Sequence, residues 1–153
     1  MRLYLETTVP NFLFADDAPD KRHATEAFFT WLRVSSDDLF ISKLVEAEIA
    51  VCSEPKRTQL IGALAALTVT VLPIPNEAGE LAQEYLRAAV VPSRYRNDAL
   101  HVAIAVWHKM DIIVSWNMRH LVNVRKVDQI NAVNRRLGFP AIRIHTPEEV
   151  LET

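Results

Sequence analysis

The strongest constraint on this chain is an alternation of two patterns. Short runs of apolar and β-branched residues recur between longer stretches with helical spacing. Residues 2–5, 39–42, 68–72, 112–115 and 141–144 read as strands, and the unbroken apolar run Ile112-Ile113-Val114 suits a buried, central one. Between them, residues 20–34 place Ala24, Ala27, Phe28, Trp31 and Leu32 at helical spacing. Residues 77–89 and 127–137 also read as helices, the latter closed by Gly138. Ser42 is placed to cap a helix carrying Leu44, Val45, Ala47, Glu48 and Ile49, and Pro55 to open another that runs to Ala66. Thr7 or Thr8 is placed to cap a helix start near Pro10. Asn97 or Asp98 heads an apolar helix over residues 99–107, and His145-Thr146-Pro147-Glu148-Glu149 reads as a cap before a last short turn. Strands alternating with helices predict a three-layer α/β/α fold around a mostly parallel sheet. Ligands of such folds sit beyond the carboxyl ends of the strands.

Composition narrows the class. At 153 residues, half of them apolar, the chain is expected to form a single domain spanning 1–153 with a substantial core. Three glycines suit a helix-rich fold better than an all-β one, and no Gly-rich phosphate loop of the dinucleotide or P-loop kind is present. The lone Cys52 excludes an intrachain disulfide and a thiolate metal cluster. There is no apolar leader at Met1-Arg2-Leu3-Tyr4 and no run long enough for a membrane span, so a cytoplasmic protein is expected. A net charge of −2 means that any contact with nucleic acid must come from a local basic patch.

Several polar groups fall at strand ends or helix starts. Glu6 ends the first strand, Glu48 lies in the helix after the second, Asp98 begins the helix before the fourth, and Ser115 and Asn117 follow the fourth. Each has an ordinary alternative: a surface glutamate, a helix cap, a strand-end hydroxyl or a turn residue. Together they describe one acidic cleft. Converging carboxylates repel one another, which raises their pKa values. A magnesium or manganese ion removes that cost, since these hard cations take oxygen ligands.

Four segments in this order resemble the PIN-domain family, whose members include many ribonuclease toxins of toxin–antitoxin pairs. They are Leu3-Tyr4-Leu5-Glu6-Thr7-Thr8, the stretch from Ile41 to Ile49 with Glu48, Asn97-Asp98-Ala99-Leu100-His101-Val102-Ala103, and Ile112-Ile113-Val114-Ser115-Trp116-Asn117. The resemblance implies Mg2+ or Mn2+ held by Glu6, Glu48 and Asp98, with Ser115 and Asn117 completing the site. It also implies an RNA substrate, an antitoxin protein and a homodimer. The four large aromatics Phe28, Phe29, Trp31 and Trp107 suit that dimer, since a chain of this size has limited core in which to hide them. Two positions depart from the family pattern: Glu6 stands where Asp is usual, and so does Asn117, which offers a carbonyl oxygen without charge. A further acid of the family falls near His120.

Arg94, Arg96 and Arg119 flank the cleft in sequence and are the candidates for holding the RNA backbone, with Arg125 and Lys126 farther out. His101 is expected to be a packed core histidine, and Trp116 either to stack on a base or to pack. A reading of a different class is a catalytically silent PIN-like module that binds protein or nucleic acid.

Overall fold

The computed structural model describes residues 1–152. Five parallel strands form one sheet in the order β3-β2-β1-β4-β5. They are β1 (Arg2–Leu5), β2 (Asp38–Ser42), β3 (Val69–Leu72), β4 (Ile112–Val114) and β5 (Arg143–His145). β1 lies at the centre, with Leu3 in register with Leu39 on one side and Ile112 on the other. β4 is interior, buried at all three positions, between β1 and β5.

The chain steps from β1 outward to β3, then returns across the sheet to β4 and β5. Right-handed crossovers put helices of opposite steps on opposite faces. One face carries α1 (Thr8–Phe12), α2 (Pro19–Leu32), α3 (Lys43–Ala50) and α4 (Lys56–Ala65); the other carries α5 (Asn76–Arg87), α6 (Arg96–Trp107) and α7 (Val124–Leu137). Packing agrees: α5 lies against α6 and α7, while α2 lies against α1 and the terminal α8 (Pro147–Leu151). This is the three-layer, parallel architecture expected from the sequence. The strand order reverses beside β1, so the crevice for a ligand lies at its carboxyl end.

Local signals account for most boundaries. Ser42 accepts a hydrogen bond from the Val45 amide and caps α3. Gly138 stops α7 at φ +84°, a left-handed conformation that costs glycine nothing. Thr146 and Glu149 close a reciprocal capping box on α8. Three expectations shift. α7 begins at Val124 because Asn123 caps it through the amides of Arg125 and Lys126. α6 begins at Arg96, behind a 3-10 turn at Ser93–Tyr95, so Asp98 lies inside the first turn and is not its cap. The last strand starts at Arg143, two residues later than the apolar run suggests.

Phe28 and Phe29 lie in the core, Trp31 stacks on Phe28 half-buried, and Trp107 is more than a third exposed beside Phe139. Two of the four aromatics thus find their burial within the chain. Among the described residues, no helix is long and apolar enough to cross a membrane.

Candidate metal centre

Glu6 leaves β1 at the centre of the sheet, and its side chain is buried. Its Oε1 accepts hydrogen bonds from Thr8 Oγ1 and Ser115 Oγ, both at 2.6 Å, and its Oε2 accepts one from the Thr8 amide at 3.2 Å. Ser115 Oγ in turn accepts from the Asn117 amide at 2.9 Å, and Thr8 Oγ1 from the Trp116 amide at 2.8 Å. These bonds stitch the end of β1 to the end of β4 and fix one carboxylate oxygen more tightly than the other. Thr8 therefore serves the acid and makes no helix cap. Thr7 does the same: its hydroxyl donates to Glu48 Oε1 at 2.5 Å, and no side chain caps α1. A hydrogen bond to an ionised carboxylate is stronger than one to a backbone amide, which explains the preference.

Glu48 reaches the same cleft from the second turn of α3, half-buried, while Glu46 on the same helix faces solvent. Its Oε1 also meets His101 Nε2 at 2.7 Å. His101 is buried, as a core histidine would be, but both ring nitrogens belong to the cleft. Nδ1 lies 2.7 Å from the Tyr4 hydroxyl, which lies 2.7 Å from Ser42 Oγ. Nε2 is also 4.0 Å from Glu6 Oε2. Ligand atoms of Glu6, Glu48 and His101 all lie within 4.8 Å of one another. Oxygen and imidazole donors gathered in this way fit a divalent cation.

Charge in the cleft is balanced in part by the histidine. Burial pushes the Glu48 carboxyl up, but the hydrogen bond and charge of His101, with help from Thr7 and Asn97, outweigh it and hold Glu48 below the usual carboxylate range. The mutual repulsion expected from sequence alone is thus overcome at Glu48. Burial pushes His101 down, and its bond to Glu48 with the charges of Glu6, Glu48 and Asp98 more than reverses that. Burial raises the Tyr4 phenol, against the Ser42 hydrogen bond, so it remains protonated.

Asp98 stands one turn before His101 on α6, and its Oδ2 pairs with His120 Nδ1 at 2.9 Å. It lies outside the close group of three. His120 is buried and its ring centroid is 4.4 Å from that of Tyr95. Asn117 Oδ1 accepts from the His120 amide at 3.0 Å, so the side chain closes its own turn. Arg94 and Arg119 hold their guanidinium carbons 5.0 and 5.7 Å from the Tyr95 ring centroid, and Arg96 is exposed in the first turn of α6. Trp116 packs: it is buried and donates from Nε1 to Thr25 Oγ1 at 2.9 Å.

Sequence reasoning brought Glu6, Glu48 and Ser115 to this place but missed His101, Tyr4 and Thr7 as members of the cleft. One signal was available for His101. It lies three residues after Asp98, and residues so spaced share a helix face.

No protein-family model matches this sequence, and no curated protein does. Among solved structures the chain is similar to one of VapBC2 from Rickettsia felis bound to a DNA fragment from their promoter. The identity is 15%, the TM-score 0.58, and the match covers 95% of this chain and 98% of that one. The two share a fold over nearly their whole length.

Proposed function

We propose that this chain is a metal-dependent endoribonuclease that hydrolyses phosphodiester bonds in single-stranded or structured RNA, as the toxin of a toxin–antitoxin pair in the cytoplasm. The observation that carries this reading is the gathering of Glu6, Glu48 and His101 at the carboxyl end of β1, where the strand order reverses. The PIN-like architecture and the fold shared with VapBC2 support it.

Glu6 and Glu48 would hold a Mg2+ or Mn2+ ion, with Asp98 beside them. Held there, such a cation supplies positive charge to an anionic phosphodiester and acidifies a water for attack. The chain's own groups do the rest. Thr8 and Ser115 fix Glu6, and Thr7 with His101 fixes Glu48. Asp98, paired with His120, would accept a proton from an entering water. Asn117 anchors the loop that carries His120. Arg94, Arg96 and Arg119 present positive charge to the RNA backbone around the half-buried Tyr95.

The test is cleavage of labelled single-stranded RNA by the purified chain, freed of any bound antitoxin. Cutting should require added Mn2+ or Mg2+, cease with chelator, and fall on the order of 10²-fold or more in Glu48→Gln and Asp98→Asn. Cutting that survives both chelation and these substitutions would overturn the reading. The commitment of the Asn117 oxygen to its own turn favours one other reading, a silent binding module. RNA that is bound but never cut, with metal supplied, would establish it.

A further inference from the structure

The cleft differs from an all-oxygen cation site in one respect: a buried imidazole points into it. We infer that His101 Nε2 is the third protein ligand of the cation, so that the site selects a first-row transition-metal ion, from Mn2+ through Co2+ and Ni2+ to Zn2+, over Mg2+. This rests on the metal-dependent reading above and specifies its metal.

Spacing supports it first. Donor atoms bound to one such ion lie about 3–4 Å apart, since each sits roughly 2.1 Å from it. His101 Nε2 is 2.7 Å from Glu48 Oε1 and 4.0 Å from Glu6 Oε2, so small side-chain shifts open the space. Asp98 is the competing third ligand, but its Oδ2 is held by His120.

The support behind the ring is the second point. A metal-binding histidine is oriented by a partner on its other nitrogen. Here that partner is the Tyr4 hydroxyl, buried under the sheet and steadied by Ser42. A hydroxyl both donates and accepts. Without metal, Nε2–H donates to Glu48, and Nδ1 meets the Tyr4 hydroxyl as acceptor when the ring is neutral or as donor when it is protonated. With metal, the proton sits on Nδ1 and is donated to Tyr4, leaving the Nε2 lone pair free. The same geometry serves both tautomers.

Chemistry decides the preference. Affinity for a site with a nitrogen donor rises along the first row from manganese towards zinc, and even manganese, hard as it is, accepts an imidazole more readily than magnesium, which demands oxygen and gives up its waters reluctantly.

The test reads the metal directly. The metal-free protein is titrated calorimetrically with MnCl2 and MgCl2, and the manganese-loaded protein is examined by pulsed EPR, with and without 15N-histidine labelling. The inference predicts at least about 10-fold tighter manganese binding, and a histidine-nitrogen coupling that changes with the label. His101→Gln, checked for folding by its melt, should lose the coupling and most of the preference. The unaltered, labelled protein keeps the test valid even if that variant unfolds. Equal affinities, or manganese bound without nitrogen coupling, overturn the inference while RNA cleavage can still uphold the nuclease. Nitrogen-coupled manganese with no RNA cleavage upholds the inference and overturns the nuclease.

Discussion

Replacing Tyr4 by Phe removes one oxygen from the centre of the molecule and leaves its shape unchanged. Tyr4 is completely buried, and its hydroxyl joins Ser42 Oγ to His101 Nδ1, each at 2.7 Å. Without it, Nδ1 is left in the interior with no partner, and an unsatisfied buried polar atom costs about 1–3 kcal/mol. Ser42 suffers less, because its oxygen still accepts from the Val45 amide. The sum is about 2–3 kcal/mol, with no cavity penalty since the ring remains. For a chain of this size that corresponds to a fall in Tm of roughly 4–12 °C. Urea unfolding of the metal-free protein, followed by tryptophan fluorescence and far-UV circular dichroism, measures it. A loss below about 0.5 kcal/mol would refute the reasoning, since that is less than one ordinary hydrogen bond contributes.

Other changes have smaller, separable effects. Ser115→Ala removes a donor to Glu6 and the acceptor of the Asn117 amide, and calorimetry should show manganese affinity reduced about 10-fold, the size expected for an outer-shell partner. Gly138→Ala meets no steric neighbour but sits at φ +84°, so equilibrium unfolding should show a loss of about 1 kcal/mol with the metal site untouched. Thr146→Ala breaks the capping box and should cost about 1 kcal/mol at pH 7. Burial raises Glu149, but the Thr146 amide and His145 outweigh it and hold its carboxyl below the usual range. Its contribution is therefore present above the ordinary carboxylate pKa and lost as pH falls through the depressed one. A Glu149→Gln variant should differ from the parent at pH 7 and converge with it as pH falls below the depressed carboxyl pKa; half-exposed as the side chain is, the difference is small, and a gap that widens on acidification would contradict the sign. A homodimer mass by light scattering at tens of micromolar is expected, and a monomer mass would remove the oligomer from the account.

The elements were legible in the sequence because their causes are local. Ser42, Gly138 and Thr146 act within four residues of themselves, and apolar runs mark the strands wherever they pair. Glu6 and Glu48 were legible because each follows a strand, and the topology brings strand ends together. His101 was not. Its partners Glu48 and Tyr4 are 53 and 97 residues away, and the local signal, its place one turn after Asp98, does not show that it meets Glu6 and Glu48. Thr7 and Thr8 misled for the same reason: beside a helix start a threonine reads as a cap until a carboxylate from elsewhere claims the hydroxyl. Asn117 sits where the resemblance placed a site residue, yet its oxygen meets the amide of His120, three residues on, as a turn residue's would.

The most direct test of the account is an anomalous difference map from a crystal soaked in MnCl2. A single strong peak is predicted in the cleft, with Glu6 Oε2, a Glu48 oxygen and His101 Nε2 each within roughly 2.0–2.6 Å of it. A cleft without a peak at saturating manganese, with Glu48 still bonded to His101, would contradict the claim that these side chains exist to hold a metal.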